Sequence, residues 1–226
     1  MTLRVARGLA AELVGSAMLL AIIIGSGEMG ERLAQGNAAI VLLANSMATG
    51  CGLFVLIVAL APYSAAEFNP LVTFLSVLDG RARPGIAACT VAAQVGGAVV
   101  GVWIAHVMFE LPIFAMSSKV RSGWGQLIAE GVATFGLILT IAGSRSHGIV
   151  TTGAAVGAYI ASAYWFTSST SFANPTVTLA RALSPTFAGI SPANVGGFIV
   201  AQCVGAALGY GFTKMLENPS ASDALP

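Results

Sequence analysis

The sequence predicts an all-α membrane protein with six transmembrane helices and two re-entrant half-helices in an inverted repeat. Three observations carry that prediction. Apolar residues make up 56% of the chain and charged residues 8%, with a mean hydropathy of +0.85; soluble domains carry about 25% charge. Six apolar runs reach the roughly 20 residues that a bilayer crossing needs. An Asn-Pro pair interrupts this apolar background twice, in FNPLVT at Phe68–Thr73 and ANPTVT at Ala173–Thr178.

In chain order, the predicted spans are 6–25, 38–60, 86–108, 124–143, 148–168 and 195–216. Arg4 and Arg7 before the first run resemble the start of a signal peptide. Glu12 inside that run and its match in the second half favour a retained helix. Gly is 27 of 226 residues, above the ordinary share of about 7%, as expected where membrane helices approach through small residues. Cys51, Cys89 and Cys203 lie within apolar stretches and are read as buried packing residues, not disulfides or metal ligands. The tail from Asn218 to Pro226 is short and polar, and disorder is expected there.

Each Asn-Pro should open a short helix. Asn accepts a backbone N–H one turn on as an N-cap, and Pro fits the first helical position, where no N–H is needed. At membrane depth such a start is tolerated only where it lines a cavity or is buried in protein. The predicted pore motifs are therefore Asn69, Pro70 and Leu71 with Asn174, Pro175 and Thr176. With the side-chain oxygens capping, the amide N–H groups remain to donate to a passing oxygen. Two half-helices meeting by their N-termini also place two positive dipole ends, each about half an elementary charge, at mid-membrane, which disfavours cations.

The halves repeat. AELVGSAMLL around Glu12 matches AEGVATFGLIL around Glu130, and AAQVGGAVVG around Gln94 matches VAQCVGAALG around Gln202. The last pair carries GxxxG at Gly97/Gly101 and Gly205/Gly209, a close-packing pattern. Three spans per half is an odd number, so the second half enters from the opposite side. One channel domain spanning 1–226 is expected: repeat one about 5–110, repeat two about 122–217, then the polar tail 218–226. With the N-terminus inside, Arg4, Arg7, Arg81, Arg83, Arg145 and Lys214 face the cytoplasm, and Arg32, Lys119, Arg121 and Arg181 face outward. The basic bias of short inner loops therefore predicts cytoplasmic termini in the inner (plasma) membrane.

The paired Asn-Pro loops, the AEL-G and AEG-ATF spans and the AQ-GGA and AQ-VGA spans resemble the major intrinsic protein family, the aquaporins and aquaglyceroporins, over nearly the whole chain. The family motif is Asn-Pro-Ala, and Leu71 and Thr176 depart from it, so the constriction there is expected to be reshaped. The resemblance implies a selectivity filter of Thr49, Ser162, Ser171 and Val177, with Val177 where the family has Arg. No member of that set is aromatic, charged or large. A wide pore for small neutral solutes follows, with three hydroxyls to exchange hydrogen bonds with a polyol. NPL, NPT-V and FAGISPANVGGFIVAQ further resemble bacterial aquaglyceroporins found with arsenic-resistance genes, implying arsenite and methylated arsenicals as solutes. A homotetramer is implied by the same resemblance.

Four charged residues complete the reading. Glu12 and Glu130 are either a proton relay or loop buttresses that accept freed backbone N–H groups; their symmetry favours buttresses. Glu67 either places negative charge at the inner pore mouth or bonds to local loop N–H groups. Arg181, one turn after Val177, either charges the outer vestibule or is a solvated loop residue, the second being favoured. His106 and His147 form no ligand cluster, so neither metal nor cofactor is expected. Net charge +1 gives no case for nucleic acid, and the partners expected are small neutral solutes and the lipid bilayer. No phosphate loop, nucleophile elbow or catalytic carboxylate pair supports an enzyme. The alternatives are a water-selective aquaporin, an ion-coupled transporter on the same kind of repeat, and a non-conducting structural member of the lens-junction type.

Overall fold

The computed structural model describes residues 2–217; the predicted disordered tail lies outside them. Six helices are long and apolar enough to cross a membrane: α1 (Leu3–Leu33), α2 (Ala38–Leu60), α4 (Pro84–Met108), α5 (Trp124–Ser144), α6 (Ile149–Phe166) and α8 (Pro192–Glu217). Two short helices, α3 (Pro70–Leu78) and α7 (Pro175–Arg181), follow the Asn-Pro pairs, and a 3₁₀ turn, Arg145–His147, joins α5 to α6. No strand occurs among the described residues.

α1 outruns its apolar stretch by a turn and a half or more. Ser26 Oγ donates back to Ile22 O at 2.6 Å, and Arg32 and Glu28 pair at 2.8 Å one turn apart. These local bonds carry the helix through a polar segment that hydropathy reads as its end. At 31 residues it is about 46 Å long, longer than the roughly 30 Å hydrocarbon core.

The two halves use the same contacts. α1 packs on α4 through Gly97 and Gly101, where an added Cβ would lie 2.1 Å from the Leu13 and Ala17 carbonyl oxygens. α5 packs on α8 through Gly205, where a Cβ would lie 2.2 Å from Gly131 O. α2 and α6 touch through Gly50 and Gly157, each approaching the other's carbonyl. With no hydrophobic drive between helices in lipid, such close approach supplies the dispersion contact. The half-helices α3 and α7 sit between these pairs and meet by their N-termini.

The cysteines correct one expectation. Cys51, Cys89 and Cys203 are free thiols on the exposed outer surface, not in the core. In a bilayer the outward face of a helix is as apolar as its inner face, so apolar neighbours in sequence do not signal burial. Leu13, Leu43, Val132 and Val204 are exposed on that same outer surface.

Candidate pore and its filter

The two Asn-Pro motifs build the middle of a cavity. Asn69 Oδ1 accepts Leu71 N at 3.0 Å, and Asn174 Oδ1 accepts Thr176 N at 2.9 Å and Val177 N at 3.4 Å, so each Asn caps its own half-helix. Asn69 Nδ2 donates to Ala173 O at 2.9 Å, and Asn174 Nδ2 donates to Phe68 O at 2.7 Å. The loops thus clasp each other through reciprocal amides. An amide nitrogen carries two hydrogens, so each Asn keeps one donor for a solute. Pro70 and Pro175 occupy the first helical positions. Leu71 does not line the cavity; it packs on Leu75, Ile138 and Ala206. Thr176 is buried and likewise off the lumen, so the departures from Ala are absorbed by packing around the half-helices, and the expected reshaping of the constriction is not seen.

The loops leading into the motifs are strained in the same way. Ala66 and Phe68 have φ of 49°, and Ser171 and Ala173 have φ of 50° and 48°. Left-handed backbone costs a non-Gly residue about 1–2 kcal/mol, and the two carboxylates offset that cost. Glu12 accepts Glu67 N at 3.0 Å and Phe68 N at 2.9 Å, while Glu130 accepts Phe172 N at 2.9 Å and Ala173 N at 3.0 Å. Gln94 Nε2 donates to Glu12 and to Thr73 Oγ1, and Gln202 Nε2 donates to Glu130 and to Thr178 Oγ1. Each of these carboxylate and glutamine contacts in one half has its counterpart in the other.

The cavity, about 110 Å³, runs between α1, α2, α5 and α6 past both Asn residues. One wall is apolar, from Leu19, Ile57, Leu137 and Ile160; Asn69, Asn174 and Thr49 face it with polar atoms. Of the filter residues expected, Thr49, Ser171 and Val177 are buried and line it. Ser162 does not. It is exposed on the outer side of α6, its hydroxyl donating to Tyr159 O at 2.9 Å. The lumen face of α6 is Thr152, Val156, Ile160 and Tyr164, a row at i, i+4 spacing, and Ser162 lies two residues, about 200°, off that row. Counting back from Asn174 across an irregular loop misplaced the position.

Tyr164 is the residue that sequence reasoning missed, and its helical spacing from Ile160 could have found it. Its hydroxyl lies 3.2 Å from Thr49 Oγ1 across the cavity, so an aromatic ring stands beside the expected filter residues. Nor is the cavity free of arginine. Arg181, 1% exposed, lines it one turn beyond Val177, which corrects the solvated-loop reading. Its Nε donates to Ala188 O, and its guanidinium carbon lies 3.4 Å from the Phe172 ring centroid. At the opposite mouth Glu67 lines the cavity, and its carboxylate accepts the Ser76 hydroxyl. The bond is to a half-helix side chain, so of the two alternatives the bonding to local loop N–H groups is not what is found.

His106 is a buried tie between loops, with Nε2 3.0 Å from Ser184 Oγ. Among the described residues no group of three His, Cys, Asp or Glu side chains could hold a metal.

Six membrane-length helices around a cavity where two capped half-helices meet define a multi-pass membrane channel. Residues 1–148 match the family model for Major intrinsic protein. The chain is 46% identical over 211 residues to aquaglyceroporin AqpS of Rhizobium meliloti (strain 1021), covering 93% of this chain and 90% of that one. It is 31% identical over 142 residues to the probable aquaporin PIP2-8 of Oryza sativa subsp. japonica, covering 60% and 50% of the two chains. The X-ray structure of the aquaglyceroporin from Plasmodium falciparum superposes with a TM-score of 0.76 at 19% identity, covering 94% of this chain and 97% of that one. The chain belongs to the major intrinsic protein family, and is a channel for small neutral solutes, not an enzyme.

Proposed function

We propose that this chain is a passive pore for glycerol-like polyols, arsenite and methylated arsenicals, with water passing as well. The observation that carries the reading is Val177, an apolar side chain on the cavity wall where the family has an arginine. Its methyls offer space and an apolar contact to a methyl group or a carbon backbone, where a guanidinium in that plane would crowd and repel them. A polyol or trihydroxide then meets Thr49 and Ser171 on one side and the aliphatic wall on the other. The 46% identical aquaglyceroporin supports the polyol part of this reading. We further propose a homotetramer, as the family resemblance implies, in the inner membrane with both termini cytoplasmic, an orientation supported by the bias of basic residues.

Tyr164, reaching Thr49 at 3.2 Å, favours the narrower, water-selective alternative. Stopped-flow light scattering on proteoliposomes decides between them. Val177→Arg is expected to cut glycerol and arsenite permeability at least about tenfold, about 1.4 kcal/mol, while leaving water flux near wild type. Equal solute permeability in the variant would remove Val177 from the filter.

A further inference from the structure

We propose that an arginine-lined cavity beside the pore, on the side of the membrane where the chain begins, binds a phosphate group, and that the headgroup of an anionic phospholipid supplies it.

The cavity measures about 1010 Å³, at the upper end of the about 300–1,000 Å³ usual for ligand sites. Its walls are the first turns of α1, the α2–α3 loop, α3, and the α3–α4 connection with the start of α4. Arg4, Arg7, Arg81 and Arg83 all line it. Arg81 is already committed, its Nε and Nη2 donating to Asp79 at 3.3 and 3.0 Å. Among the described residues, no carboxylate lies within ion-pair distance of Arg4, Arg7 or Arg83. Two carboxylates, Glu12 and Glu67, also line the cavity, and both are engaged. Glu12 accepts Glu67 N, Phe68 N and Gln94 Nε2, and Glu67 accepts the Ser76 hydroxyl. Like charges gathered around one cavity repel one another. A phosphate, with several oxygens matched to the guanidinium fork, offsets that repulsion.

The repeat shows that the fold does not need these charges. At the offsets that match Glu12 to Glu130 and Gln94 to Gln202, Arg4, Arg7, Arg81 and Arg83 correspond to Ser122, Gly125, Gly189 and Ser191. The second half packs its helices in the same way without the arginines, so their convergence answers to something other than helix packing.

The walls choose the source of the phosphate. Leu3 and Ile86, 68% and 38% exposed, line the cavity beside the arginines. A phospholipid can lay an acyl chain on them while its headgroup meets the guanidinium groups, whereas free phosphate has no use for an apolar rim. Basic pockets between membrane helices take anionic headgroups for this reason. Ala65 and Glu67 line both this cavity and the pore, so a bound headgroup rests against that mouth of the channel.

The test titrates the detergent-solubilised protein with dioctanoyl phosphatidylglycerol, dioctanoyl phosphatidylcholine or inorganic phosphate at constant ionic strength, and reads the thermal midpoint. Each curve is read against that variant's own lipid-free midpoint, so a less stable variant still reports an affinity. Phosphatidylglycerol is expected to raise the wild-type midpoint saturably, and phosphatidylcholine to leave it unchanged. Arg7→Gln and Arg83→Gln should each weaken the apparent affinity about fivefold, the fold-change of about 1 kcal/mol per basic residue, and together about twentyfold or more. Arg32→Gln, at the far end of α1, should bind as wild type does. Should the double variant not fold, the single ones decide. Inorganic phosphate that raises the midpoint by itself and erases the phosphatidylglycerol response would give the site to free phosphate and overturn the lipid assignment. Unchanged affinity in the Arg7 and Arg83 variants, or an equal response to phosphatidylcholine, overturns the site itself.

Discussion

The Glu130 carboxylate holds the Phe172 and Ala173 amides and the Gln202 side chain within 3.0 Å. Glu130→Ala would strand three buried donors, each costing about 1–3 kcal/mol, and release a loop held in left-handed backbone. We expect a loss of at least about 3 kcal/mol, seen as a lowered midpoint in detergent thermal unfolding, with Glu130→Gln intermediate because it keeps one acceptor. A proton relay at this site would instead leave stability unchanged and alter flux under a pH gradient. Residue identity made these two acids legible, since a carboxylate in an apolar span stands out. It did not make Tyr164 or Arg181 legible, because their placement depends on helix phase across loops of irregular length.

At the scale of elements, the half-helices were readable because Asn-Pro supplies both the cap and the first helical residue, and the structure starts α3 and α7 at Pro70 and Pro175. The GxxxG pairs were readable for a similar reason, the approach of helices needing the absence of a side chain. A Cβ added at Gly101 would lie 2.1 Å from Ala17 O, well inside contact distance, and that atom is backbone, which cannot swing aside. Gly101→Leu should force α1 and α4 apart and abolish detergent-stable folded protein, whereas Gly96→Ala, with nothing within 4 Å, should be tolerated. Monodispersity on gel filtration checks both. The exposed position of the cysteines was not readable, because hydropathy cannot tell a buried helix face from an apolar outer one.

Across the whole molecule, one ionic cluster breaks the twofold pattern. Asp79, at the end of α3, faces Arg81 at 3.0 Å, Lys214 at 3.1 Å, Arg145 at 3.7 Å and the Tyr210 hydroxyl at 3.0 Å. It ties the first half-helix to the ends of α5 and α8. Desolvation pushes its carboxyl up, but hydrogen bonds from Lys214, Arg81 and Tyr210 outweigh that and hold it at about 2, below the ordinary 3.8. The stabilisation is therefore complete above pH 3.8 and lost as pH falls towards 2. Asp79→Asn should lower the thermal midpoint at pH 7 and flatten its decline between those limits. A variant whose midpoint falls with acid as steeply as wild type would place the acid response elsewhere.

The inverted repeat, the clasped Asn residues and the matched carboxylates all serve one claim, that neutral solutes cross this chain passively. The most direct test is glycerol and arsenite uptake into wild-type proteoliposomes, with and without proton and sodium gradients. The account predicts uptake well above protein-free vesicles and the same rate under every gradient. Uptake of water alone, or solute flux that appears only with an ion gradient, would contradict it.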